Sequence, residues 1–387
     1  MLSRNVWGAR RCALMAAVVG RLGDFADIGS DSSRRRWPFD KEIFVLPFLD
    51  LFRRAWGYRG NSRSAARYDE IYVLAPSRSV SGGPEALHQL VDALRRRGHK
   101  AYISYVPKAA SPIPDAFAGY DVVARKPRDR RGNLIVVPEI WTGRVRSIRA
   151  AEVAVWWLSV DNFFGDRPDD DRQFSEMVRR HEESVSDRNF RRTATWPELR
   201  RVRNLHQSRY AARFLETRGI ASEPLGDYIN EEFGEADRAD LRRDALAYNP
   251  AKGLPRVKHL MALFPRWNWI PIQGLTRREV GRLLAEVKIY VDFGSHPGRD
   301  RLPREAALAG ACVITGTRGS AGVREDMPIP DIYRIDENEP DHQKRFGDLV
   351  SSIFGQFDVH TTRFAAYREK IRGERSEFER DVTRLFE

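Results

Sequence analysis

The sequence predicts an α/β protein of two Rossmann-like domains, each built on a parallel sheet, and three observations predict it. From Ala245 to Thr315, short apolar runs alternate with helical segments at regular spacing. A looser alternation begins at Glu70-Ile71-Tyr72-Val73-Leu74-Ala75-Pro76. The run Val153–Phe164 is almost continuously apolar, as a strand covered on both faces must be. A chain of 387 residues is long enough for two core-bearing domains, and 42% hydrophobic against 31% charged residues reads as globular.

Taken in order, residues 1–66 form a basic extension that differs from the rest. An apolar stretch at Cys12–Leu22 is interrupted by Gly20 and Arg21 and reads as a leader outside the core. Ile43–Phe52 is an apolar run between Arg34-Arg35-Arg36 and Arg53-Arg54. It reads either as a segment docked on the body or as a peripheral anchor on the inner face of an anionic membrane. No run reaches the roughly 18–20 apolar residues of a membrane-spanning helix. Cys12 and Cys312 are far apart and give no disulfide framework, so a reducing cytoplasm fits. The net charge of +12 suits nucleic acid, lipid or phosphorylated ligands alike. No basic-aromatic recognition motif selects nucleic acid.

Residues 67–230 are expected to form the first domain. Its first strand runs into the loop Ser77–Gly83, and Pro84–Arg97 carries Ala86, Leu87, Leu90, Val91 and Leu94 on one helical face. Gly82 and Gly83 before that helix would let backbone N–H groups approach a phosphate, although a plain tight turn explains them equally well. Further strands are expected at Lys100–Val106, Tyr120–Ala124, Leu134–Pro138 and Val153–Val160, and a strand ending at Leu205-His206-Gln207-Ser208 precedes a helix at Arg209–Arg218. The strand to Val160 delivers Ser159, Asp161 and Asn162 to the ligand edge, where they either bind or cap the next turn. Asp169-Asp170-Asp171 has an Asp-x-Asp pattern but lies in an Arg-rich helical region, so it reads as a cap and no metal is expected.

Residues 231–360 are expected to form the second domain, and residues 361–387 a terminal helix. Strands at Ala245–Asn249 and Trp267–Ile272 alternate with helices at Leu254–Phe264 and Arg277–Val287. Between the first strand and helix stands Tyr248-Asn249-Pro250-Ala251-Lys252-Gly253, where a lysine beside a glycine can reach a diphosphate. The segment Lys288–Gly316 then reads as strand, loop, short helix, strand. The loop is Gly294-Ser295-His296-Pro297-Gly298-Arg299-Asp300-Arg301, and the helix Leu302–Ala309 starts at Leu302 with Pro303 in its first turn. Its N-terminus offers unpaired N–H groups and partial positive charge.

This segment resembles the donor-site signature of the GT-B glycosyltransferases, the retaining "glycosyl transferases group 1" family. Leu302-Pro303-Arg304-Glu305-Ala306-Ala307 matches the helix whose glutamate contacts the ribose of a nucleotide-sugar, and Lys252-Gly253 matches the pair that binds the donor diphosphate. The resemblance implies two domains facing across a cleft, with the last helix (Phe364–Phe386) crossing back to the first. It implies Lys252, Glu305 and His296 as catalytic residues, and Gly82, Gly83, Asn249, Gly253, Gly294, Ser295, Gly298, Arg299, Arg301 and Leu302 around the donor. The acceptor side falls to Ser159, Asp161 and Asn162. Pro297 stands where the family often has another glutamate, beside His296, and Leu246-Ala247 stand where it has a companion basic residue, a role open to Arg299 or Arg301. The implied reaction moves a sugar from a nucleoside diphosphate sugar to a hydroxyl of a glycan or lipid-linked acceptor, with retention and without a cofactor. Bacterial surface glycan synthesis is the expected setting. Epimerisation or hydrolysis of a nucleotide-sugar, or a non-catalytic binding protein for anionic ligands, are the alternatives.

Overall fold

The computed structural model describes residues 67–387 apart from 78, 108–112, 166–167, 169, 185–191 and 231–241. The leader, the apolar run Ile43–Phe52 and the expected domain boundary near Glu231 lie outside the described residues.

Two parallel sheets organise the chain. The first has β1 (Ile71–Pro76), β2 (Ala101–Val106), β3 (Leu134–Pro138), β4 (Glu152–Trp157), β5 (Arg203–His206) and β6 (Glu223–Pro224), in the spatial order 2-1-3-4-5-6. The second has β7 (Arg243–Tyr248), β8 (Asn268–Pro271), β9 (Val287–Asp292) and β10 (Cys312–Thr315), in the order 10-9-7-8. Both orders reverse direction once, between β1 and β3 and between β7 and β9. In open parallel sheets a crevice opens at such a point beyond the strand carboxyl ends, because successive connections leave to opposite faces. The chain thus has two ligand edges, and their loops decide what it can hold.

The strands form where the sequence places β-branched and aromatic residues in short runs. Trp156 and Trp157 are both fully buried, one on each face of β4, so this strand is covered on both sides. It stops three residues earlier than expected. Ser159 accepts a hydrogen bond from the N–H of Asn162 and caps a short helix, α2 (Val160–Phe164), because its hydroxyl satisfies a backbone group that a sheet would have to pair. Tyr120–Ala124 is not a strand: only Ala124 bridges to Ile103, and Tyr120 turns its hydroxyl to Glu85 instead. Asp170 caps a helix at Asp171–Ser184 by accepting from the N–H of Gln173, so Asp170-Asp171 serve that helix start.

Helix α1 (Gly82–Arg96) buries Ala86, Leu87, Leu90, Val91 and Leu94 against the first sheet. The terminal helix Ala365–Phe386 joins both cores. Tyr367 and Ile371 pack with the second sheet, whereas Phe378, Val382, Leu385 and Phe386 pack with the first. Among the described residues no helix is long and apolar enough to cross a membrane.

Candidate functional site

The loops at the two reversal points face each other across a cleft of about 1030 Å³. From the first sheet come Ser79–Glu85 after β1, Glu139 after β3, and Leu158, Ser159 and Asn162 after β4. From the second come Asn249 and Lys252 after β7, and Asp292, Ser295 and Gly298–Leu302 after β9, with Glu305 one turn into the following helix, α3 (Arg301–Leu308).

Backbone contact holds these loops close. Gly253 has φ +62°, and a Cβ on it would lie 2.6 Å from the carbonyl of Phe293, so only glycine brings the lysine loop against the end of β9. A Cβ on Gly298 would collide with the carbonyl oxygen of Leu158. This loop is pressed onto the first sheet, where Val160 N–H donates to the carbonyl of Pro297 at 2.8 Å and Arg299 N–H donates to Oε1 of Gln207 at 3.1 Å. Below the cleft surface Asp161 hydrogen-bonds Ser295, and burial, only partly offset by that bond and by Arg318, pushes its carboxyl up to about 6.

The cations of the site are matched by acids of the protein itself. Lys252 Nζ donates to Asp300 Oδ1 at 2.7 Å. Arg301 Nε donates to Glu305 Oε1 at 3.0 Å, and its Nη1 lies 2.8 Å from Glu85 Oε2 at an angle too poor for a hydrogen bond. Its Nη1 and Nη2 therefore find no acceptor among the described residues, although both are buried. Arg277 Nη1 donates to Glu85 Oε1 at 2.9 Å. Arg299 is turned out of this group: its guanidinium pairs with Glu374 of the terminal helix, which makes its charge structural.

His296 is fully buried, at φ +45°, under the lysine loop. Its Nε2 lies 3.5 Å from Asp292 Oδ1 and its Nδ1 3.3 Å from Asp300 Oδ2. Burial alone would lower its pKa, but Asp292 and Asp300 together raise it above the ordinary value. Burial likewise disfavours the Asp300 carboxylate, yet Lys252 and His296 outweigh it and hold the group well below the usual range. Asp292, His296 and Asp300 bring one ligand atom each within 4.8 Å of one another, the spacing of a metal site. They are engaged in a buried network: Asp292 accepts from Tyr290 Oη and Gly294 N–H, and Asp300 from Lys252.

This network gives a pH dependence with a defined sign. A raised histidine contributes stability that is complete below its unfolded value of about 6.5 and is lost as pH rises through the folded value. His296→Gln is therefore expected to lower the urea midpoint most at acid pH and to flatten the decline above about pH 6.5. An unaltered alkaline decline would show that His296 does not carry it.

Of the residues singled out from sequence, Gly82, Gly83, Ser159, Asn162, Asn249, Lys252, Ser295, Gly298, Arg299, Arg301, Leu302 and Glu305 line the cleft. Asp161, Gly253, Gly294 and His296 lie beneath and shape it. Sequence reasoning missed Glu85, Glu139, Arg277 and the partner role of Asp300. Glu139 directly follows a predicted strand, and that position was its available signal.

No protein-family model and no curated protein sequence matches this chain. Solved structures do resemble it. Anabaena HepE in complex with UDP-glucose superposes with a TM-score of 0.52 at 12% identity, over 81% of this chain and 98% of that one. Sucrose-phosphate synthase from Thermosynechococcus elongatus gives 0.56 at 10%, over 82% and 98%. The N-terminal domain of Candida albicans trehalose-6-phosphate phosphatase gives 0.53 at 9%, over 84% and 97%. At such identities the likeness concerns fold. The chain has the GT-B architecture, two Rossmann-like halves facing across a cleft with the last helix spanning both.

Proposed function

We propose that the protein is a glycosyltransferase that moves a sugar from a nucleoside diphosphate sugar to a hydroxyl acceptor with retention. The observation that carries this reading is the meeting of Lys252, Arg301, Arg277 and Glu305 at the reversal point of the second sheet, opposite Gly82 and Gly83. In the reaction, the bond from the anomeric carbon to the diphosphate oxygen breaks and the bond to the acceptor oxygen forms on the same face. The acceptor proton passes to the departing phosphate. Lys252, Arg301 and the N-terminus of α3 neutralise the charge that develops there, and closeness of the two edges orients the partners. Glu305 holds the ribose. No step needs a metal. The setting we infer is glycan synthesis at the cytoplasmic face of a bacterial membrane, with a glycan or lipid-linked acceptor.

The fold neighbour HepE was captured with UDP-glucose, which makes uridine nucleotides the first to test. Thermal unfolding against UDP, GDP and ADP and their sugars is expected to single out one base. A ligand at a hundredfold excess over its Kd stabilises by about 2.7 kcal/mol, and Glu305→Ala is expected to abolish most of that rise. If no nucleotide shifts the midpoint while anionic lipid or nucleic acid does, the protein is a binding module and the transferase reading falls.

A further inference from the structure

We propose that Glu139 is the residue by which the first half of the cleft holds the acceptor, and that the acceptor presents neutral hydroxyl groups there. This inference rests on the glycosyl-transfer reading and adds a residue to the acceptor side, for which the sequence offered Ser159, Asp161 and Asn162.

Glu139 follows the last residue of β3, at the reversal point of the first sheet, so topology places it where a parallel sheet meets its ligand. It lines the cleft with Gly82, Gly83, Leu158 and Lys252. The residue is 3% exposed, and its Oε2 accepts the N–H of Leu158 at 3.1 Å. Other acids around the cleft face cations: Glu85 meets Arg277 and Arg301, Asp300 meets Lys252, and Glu374 meets Arg299 and Arg304. Glu139 has no such partner among the described residues. Burial pushes its carboxyl up to about 8, with only the N–H groups of Leu158 and of Glu139 itself pulling the other way.

A carboxyl that keeps its proton carries both an O–H donor and an acceptor. A sugar hydroxyl carries the same pair, so the two groups satisfy each other without a counter-charge. An anionic acceptor would find no cation paired with Glu139 among the described residues and would raise the cost of any ionisation of Glu139. The second half of the cleft shows the opposite chemistry, with cations gathered for a diphosphate. The two reversal points therefore divide the substrates by charge.

The test uses the full chain with a panel of UDP-, GDP- and ADP-sugars and follows release of the nucleoside diphosphate. Octyl glucoside, octyl galactoside and octyl mannoside serve as neutral acceptors, and glucose 6-phosphate as an anionic one. A neutral glycoside is expected to accelerate release by the wild type. Glu139→Ala should raise its half-saturating concentration about tenfold, the loss of one hydrogen bond of about 1.4 kcal/mol. Glu139→Gln, which keeps a donor and an acceptor, should stay within about twofold. If the alanine variant does not fold, Glu139→Leu fills the volume without polar atoms and carries the same comparison. The proposal is overturned if no neutral glycoside accelerates release, if only the phosphorylated sugar does, or if the alanine or leucine variant saturates as the wild type does. In those cases the donor-induced rise in melting midpoint still stands. Absence of that rise in the wild type removes the transferase reading itself.

Discussion

Replacing Lys252 by alanine is expected to lower turnover by about 10²–10³-fold, the usual cost of removing one preorganised group that stabilises developing charge. The effect on stability should be far smaller. Lys252 is one of two positive partners of Asp300, and His296 stays 3.3 Å from the other carboxylate oxygen. Loss of the ammonium leaves a buried acceptor with reduced compensation, at about 1–3 kcal/mol. Turnover and the urea midpoint measured on the same preparation separate the two effects. A variant with wild-type turnover would defeat the assignment of Lys252. A large loss of both would make the pair with Asp300 structural. Lys252→Arg should recover only part of the activity, because the planar guanidinium does not reproduce a compact point charge at the same place.

The second large effect is one of folding. Arg304 is almost wholly buried and joins three parts of the chain. Its Nη2 donates to Asp227 at 2.8 Å, its Nη1 to Glu374 at 2.8 Å, and it also donates to the carbonyls of Arg299 and Asp300 at the start of its own helix. These charges hold Asp227 below the usual carboxylate range against burial. Arg304→Met would leave Asp227 without its ion-pair partner and Glu374 with Arg299 alone. A broken buried network of this kind costs about 3–5 kcal/mol. The expected result is a marked fall in urea midpoint with the slope unchanged. Adding Asp227→Asn to Arg304→Met removes the stranded charge while Glu374 keeps Arg299, and should recover much of the loss. Failure to recover would show that the guanidinium matters through its bonds to the backbone carbonyls rather than through charge.

The sequence made the second half of the protein more legible than the first, for a physical reason. From Arg243 to Thr315 the elements follow one another directly, so strands and helices could be read from local periodicity, and Lys252-Gly253 from the family resemblance. In the first half, Tyr120–Ala124 has strand composition, but the hydroxyl of Tyr120 and the N–H of Asp121 donate to Glu85 and Asp92. The strand at Val153 ran past its true end because Val160 and Phe163 continue the apolar pattern into a helix whose cap, Ser159, looks like any polar residue. Partners distant in sequence were the least visible. Arg304 sat inside the quoted Leu-Pro-Arg-Glu-Ala motif, yet its carboxylates lie 77 and 70 residues away. The pairing of Arg299 with Glu374 was hidden for the same reason, since nothing local shows it.

The press of Gly298 against Leu158 and the bond from Val160 to Pro297 join the two halves through backbone atoms. The floor of the gap is therefore set by the absence of a single methyl group, and any side chain at position 298 would act as a wedge between the halves.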